Sequence, residues 1–87
     1  MNNFEISNDG KILISCHINE TFIEIPFGIE IIGPKAFSRC YNLETIEIPN
    51  SVKIIGSRAF SYCYRLKYVE IPNSVYRIEE NAFEDCM

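Results

Sequence analysis

Histidine is nearly absent from this 87-residue chain, His17 being the only one. There is also no glycine-rich phosphate loop and no paired cysteine/histidine ligand motif. The motifs that carry most phosphoryl-transfer and metal chemistry are therefore missing, and the candidates for acid–base catalysis reduce to carboxylates. A basic stripe is lacking too. Eight Lys and Arg stand against twelve Asp and Glu for a net charge of -4, whereas nucleic-acid binding needs clustered cations that neutralise phosphates. No apolar run approaches the roughly 20 residues that span a bilayer. The opening MNNFEISNDG has neither the cationic nor the apolar part of a signal peptide. As written, the chain is expected to stay where it is made. If it is a piece of a longer protein, an export signal lies elsewhere. The expectation is a non-enzymatic protein with no cofactor, no metal site, no nucleic-acid partner and no membrane insertion.

What is present describes a folded chain: 47% hydrophobic and 23% charged residues. Its organisation lies in repetition. Pro26, Pro49 and Pro72 are 23 positions apart, as are Ala36, Ala59 and Ala82, then Phe37, Phe60 and Phe83, then Cys40, Cys63 and Cys86. A fixed period of this length is the mark of a solenoid, in which each unit buries its apolar face only against its neighbours.

Within each unit, Ile23-Glu24-Ile25-Pro26, Ile46-Glu47-Ile48-Pro49 and Val69-Glu70-Ile71-Pro72 alternate as half-buried strands do. The proline ends the strand by removing a ladder amide, and Pro49-Asn50-Ser51 and Pro72-Asn73-Ser74 are turn sequences. Val52 with Ile55, and Val75 with Ile78, then point back inward. Ile55, Ala59 and Cys63, with Phe60 beside Ala59, have the spacing of a short helical or 3-10 turn. Leu43 and Leu66 close each coil.

The string Cys40-x-x-Leu43-x-x-Ile46-x-Ile48-Pro49-x-x-Val52-x-x-Ile55-Gly56-x-x-Ala59-Phe60-x-x-Cys63 resembles the BspA-type leucine-rich repeat of many bacterial and protist surface antigens. The resemblance runs from about Phe22 to Cys86. It implies an α/β repeat fold, a right-handed leucine-rich-repeat solenoid with short parallel strands and short helical or 3-10 turns. Such proteins often begin with a β-hairpin, and Phe4 to Ser15 looks like one turning at Asn8-Asp9-Gly10, with Asp9-Gly10 supplying positive φ angles. The division expected is residues 1–21 as hairpin cap and lead-in, and 22–87 as about three coils, the last incomplete. No polar capping repeat follows the third coil, so self-association through the C-terminal end is an expectation.

The cysteines have three readings. Cys40, Cys63 and Cys86 stack as a column of small buried side chains, or pair as disulfides, or bind metal; a single column does not supply tetrahedral ligands. Cys16 falls outside the register.

In leucine-rich repeats the outward residues of the stacked strands usually meet the ligand, on the concave side. The resemblance implies a protein ligand there, and an adhesion or surface-antigen role. In this chain those columns are Phe22, Thr45, Tyr68 and Glu24, Glu47, Glu70. Like charges on adjacent strands repel mildly, so the glutamates are either a recognition ladder or ordinary solvated residues. A second surface comprises Arg39, Tyr41, Tyr62, Tyr64 and Arg65, residue types enriched at interfaces, with Tyr41 and Tyr64 equivalent and able to stack over the coil edge. Asn19-Glu20-Thr21 is a glycosylation sequon, of a kind common by chance. Two further readings stand beside adhesion: an intracellular scaffold, and a structural fragment of a longer array.

Overall fold

The computed structural model describes residues 4–86. Its strands are β1 (Phe4–Ile6), β2 (Ile12–Cys16), β3 (Phe22–Glu24), β4 (Ile31–Ile32), β5 (Thr45–Glu47), β6 (Ile54–Ile55), β7 (Tyr68–Glu70) and β8 (Arg77–Ile78). They form two sheets, one of five strands in the order β1-β2-β4-β6-β8 and one of three in the order β3-β5-β7. All pairs are parallel except β1 with β2, and equivalent residues of successive coils face each other: Ile23 with Ile46 and Val69, Ile32 with Ile55 and Ile78.

The antiparallel β1–β2 pair is joined through a turn in which the Ser7 amide donates to the Ile12 carbonyl and the Gly10 amide to that of Ser7, both at 2.9 Å. Asp9 accepts from the Ser7 hydroxyl at 2.7 Å and from the Lys11 amide at 3.0 Å. These bonds hold its carboxyl below the ordinary range. Gly10 takes a left-handed φ of 77°, while Asp9, also expected there, does not. On its other edge β2 pairs parallel with β4, so one strand ends the antiparallel pair and begins the parallel sheet.

The core follows the repeat. Ile23, Ile25, Leu43, Ile46, Val52, Ile55, Ala59 and Phe60 are buried in one cluster with Leu13 and Phe37. The rings of Phe37, Phe60 and Phe83 form an offset stack with centroids 5.1 Å apart at each step. Glycine is required where coils approach most closely: a Cβ on Gly56 would lie 2.8 Å from the Gly33 carbonyl carbon, the Ile32 oxygen and the Pro34 nitrogen. The third coil departs from the pattern of burial. Ile78 is 50% exposed where its equivalent Ile55 is wholly buried, and Val75 is half-buried where Val52 is buried.

The segments expected as helical or 3-10 turns are neither, since no helix occurs among the described residues. Residues 34–39, 57–62 and 80–85 are runs of turns in which Lys35 and Arg39, Arg58 and Tyr62, and Asn81 and Asp85 take φ between 55° and 66°. A left-handed residue at every fourth position reverses the turn and divides the amides. Those of Ala36, Ser38 and Cys40 bond three residues back. Those of Lys35, Phe37 and Arg39 instead cross to the carbonyls of Ser57, Ala59 and Ser61 in the next coil. A helix would spend every interior amide within itself. Here half of them join the coils.

Candidate interaction surfaces

Alternation along β3, β5 and β7 places one residue inward between two outward ones. Ile23 and Ile46 are buried, while Phe22 and Tyr68 are 50% and 61% exposed and Glu24, Glu47 and Glu70 face solvent. Strict parallel register then builds two outward columns, Phe22–Thr45–Tyr68 and Glu24–Glu47–Glu70. All six sequence-nominated residues therefore lie on one sheet face. Glu24, Thr45, Glu47, Tyr68 and Glu70 line an open depression on this face together with the corner residues Asn50 and Asn73, while Phe22 lies outside it. The Tyr68 hydroxyl donates to Glu70 at 3.4 Å. No ion pair among the described residues reaches the three glutamates.

Phe27 is a further exposed aromatic that the repeat pattern does not predict. It is 81% exposed in the corner after β3, at the position that Asn50 and Asn73 occupy in the next two coils. Its signal was an aromatic replacing a polar turn residue, a departure from the repeat. Gly28 beside it, at φ 107°, bonds through its amide to the Ser51 hydroxyl at 3.0 Å.

The second surface lies along the turn runs. Tyr41 and Tyr64 stack with centroids 5.5 Å apart, Tyr62 meets Tyr64 edge-on at 6.1 Å, and the Arg39 guanidinium sits 5.2 Å from the Tyr62 ring centroid. At the sequon, the Asn19 carboxamide oxygen accepts a 2.7 Å bond from Asn42.

The thiols are all free. Only Cys63 is fully buried, and the column is hydrogen-bonded as well as packed: Cys63 donates to the Phe37 carbonyl at 3.1 Å and Cys86 to that of Phe60 at 3.0 Å. Cys16, expected outside the register, is brought to the first turn run by its amide, which donates to the Ala36 carbonyl at 2.9 Å, and its thiol interacts with that of Cys40. That interaction and burial hold the Cys16 thiol well above its ordinary pKa. The contact with Cys16 lowers Cys40, but the bond to Cys63 and burial outweigh it and push Cys40 up to about 11. The bond from Cys40 lowers Cys63, and burial raises Cys86. Among the described residues, no group of three or more His, Cys, Asp or Glu is arranged to hold a metal ion. No helix among them is long and apolar enough to cross a membrane.

Parallel two-sheet coils with a 23-residue register, closed by a repeated leucine and isoleucine core, define a leucine-rich-repeat protein. The sequence matches the BspA type leucine rich repeat region (6 copies) over residues 10–87, and the chain belongs to that family. The T. pallidum leucine-rich repeat protein is similar at a TM-score of 0.83 and 26% identity, over 94% of this chain and 42% of that one. A leucine-rich cell surface protein from Faecalibacterium prausnitzii A2-165 is similar at a TM-score of 0.68 and 30% identity, over 86% of this chain and 24% of that one. The chain thus spans less than half the length of either neighbour. No curated protein matches it.

Proposed function

We propose that this chain is a protein–protein interaction module of a leucine-rich-repeat protein, of the adhesion or surface-antigen type, which binds its ligand through the outward face of β3, β5 and β7. The observation carrying this reading is the alignment of Phe22, Thr45 and Tyr68 beside Glu24, Glu47 and Glu70 on three hydrogen-bonded strands. Exposed aromatics held on a rigid sheet present contact area at little entropic cost, and aromatic anchors dominate binding energy in interfaces. A surface role draws support from the F. prausnitzii neighbour, described as a cell surface protein. The binding is non-enzymatic. Hydroxyl, imidazole and carboxylate do meet at Ser15, His17 and Glu5, with both bonds 3.1 Å long, but they lie exposed on the β1–β2 pair with no enclosing cavity.

Self-association through the third coil rests on its apolar face, where Leu66, Val69, Ile71, Phe83 and Cys86 line a depression. An intracellular scaffold is favoured by one observation, the four free thiols.

Selection of peptides from a random display library against the immobilised chain tests the sheet face. Peptides that bind the native chain are expected to lose about tenfold or more in affinity on Phe22→Ala or Tyr68→Ala, equivalent to about 1.4 kcal/mol. Unchanged affinity for both variants, with circular dichroism showing both folded, rejects this face.

A further inference from the structure

The cations of this acidic chain are unevenly placed. Among the described residues, four of the eight are in ion pairs: Lys53 with Glu30, Arg58 with Glu84, Lys67 with Glu44 and Arg77 with Glu79. Three of the other four, Lys35, Arg39 and Arg65, fall within residues 31–43 and 54–66. These two segments contain no carboxylate at all, although the whole chain has twelve. They carry the turn runs of the first two coils together with Tyr41, Tyr62 and Tyr64.

The aromatics there are organised as well as exposed. Tyr41 and Tyr64 remain 47% and 49% exposed although stacked on each other. Tyr62 braces Tyr64 edge-on, and Arg39 lies over Tyr62. Arg39 and Tyr62 project from left-handed backbone positions that inter-coil hydrogen bonds hold in place, their amides donating to Ser61 and Glu84 at 2.8 and 2.9 Å. The array therefore needs little ordering on binding, which lowers one of the costs of association.

We infer that the turn-run face formed by Arg39, Tyr41, Tyr62, Tyr64 and Arg65 is a second docking surface, whose partner is an acidic peptide segment carrying aliphatic or aromatic side chains. The inference goes beyond the sheet-face reading and does not depend on it. Charge complementarity selects the acidic partner: among the described residues no ion pair engages Arg39 or Arg65, and a carboxylate takes a guanidinium in a charge-assisted pair. The exposed tyrosine rings supply the apolar half of the contact. A short peptide fits where a polynucleotide does not. The patch adjoins Glu44, which lines a depression with Tyr64 and Arg65, and on its other side Glu80 and Glu84, whose carbonyls accept from the Arg58 and Tyr62 amides, so a longer polyanion runs onto like charge.

The test is titration of a synthetic glutamate–leucine peptide into the whole chain, followed by fluorescence anisotropy. Arg39→Asn keeps a residue tolerant of left-handed φ, and paired with Arg65→Gln it removes both free cations without forcing the turn. The double variant is expected to lose about tenfold in affinity, and Tyr64→Leu severalfold. Binding by the native chain should weaken from low to moderate salt. Lys11→Gln, which removes one charge from the β1–β2 turn, should leave affinity unchanged. Four outcomes overturn the inference: no binding by the native chain, an equal loss from Lys11→Gln, tighter binding of a single-stranded oligonucleotide than of the peptide, or unchanged binding by the double variant. Phe22→Ala and Tyr68→Ala serve as cross-controls. Loss of peptide binding in those variants alone would assign the acidic ligand to the sheet face and overturn the turn-run site while leaving the sheet reading intact.

Discussion

The ring of Phe60 lies parallel to that of Phe37, with centroids 5.1 Å apart and planes 3° apart, although the residues are 23 positions apart in sequence. The same step recurs from Phe60 to Phe83. Stability is thereby carried between neighbouring coils, and a residue's contribution depends on how many neighbours its coil has. Phe60 is covered on both sides, whereas Phe83 is half-buried. Phe60→Ala should cost about 3–5 kcal/mol of unfolding free energy, and Phe83→Ala clearly less. Urea denaturation of the two variants checks this. Equal costs would contradict a core built from neighbour contacts.

Gly56 tests the closeness of the coils. An added methyl would meet three backbone atoms of the preceding coil at 2.8 Å, and none is the end of a flexible side chain. Gly56→Ala should therefore destabilise by about 1–3 kcal/mol. Gly28→Ala gives a contrast, since nothing lies within 4 Å of its added Cβ and only its φ of 107° is strained. A neutral Gly56→Ala would mean that the coils sit further apart.

Lys35 tests the turn runs. At φ 61° it occupies a left-handed position that asparagine tolerates better than lysine. Lys35→Asn should raise stability by roughly 0.5 kcal/mol, and Lys35→Val should lower it by about 1–2 kcal/mol. If the segment were helical, the valine would cost only a few tenths relative to lysine and the asparagine would be unfavourable, so the sign for asparagine separates the two backbones.

The cysteine column gives a pH dependence. The pKa of Cys40 rises from 9.0 to about 11 on folding, so between these values the unfolded chain has lost a proton that the folded chain keeps. Stability from this group is complete below about pH 9 and is lost as pH rises toward 11. Thermal unfolding measured from pH 8 to 11 should show a steeper fall for the native chain than for Cys40→Ala. Parallel curves would contradict the shift.

The difference between what was legible and what was not has a physical cause. Side-chain burial could be read because a residue's environment recurs with its position: Ile23, Ile46, Val52, Ile55 and Phe60 are all buried as the 23-residue pattern requires. Backbone sign could not. Ile55, Ala59 and Cys63 turn inward every fourth residue both in a helix and in a turn run with a left-handed residue every fourth, and Lys35, Arg39, Arg58 and Tyr62 are not residues that announce positive φ. The third coil held the missing signal, since Asn81 and Asp85 occupy those positions and their residue types favour left-handed backbone. Cys16 was hidden because it stands 24 positions before Cys40, one more than the 23-residue step that aligns Cys40, Cys63 and Cys86. The two outward columns of the sheet were legible residue by residue, because period-two alternation and parallel register are both properties of sequence spacing. Phe27 does not follow from the repeat, because it stands where the next two coils have Asn50 and Asn73.

The sheet-face account is tested most directly by chemical-shift mapping, with a library-selected peptide titrated into the isotopically labelled chain. The predicted result is perturbation of amides in residues 22–24, 45–47 and 68–70 and in the adjoining Asn50 and Asn73 corners, with the five-stranded sheet unmoved. Perturbation confined to the five-stranded sheet or the turn runs, with β3, β5 and β7 silent, would contradict it.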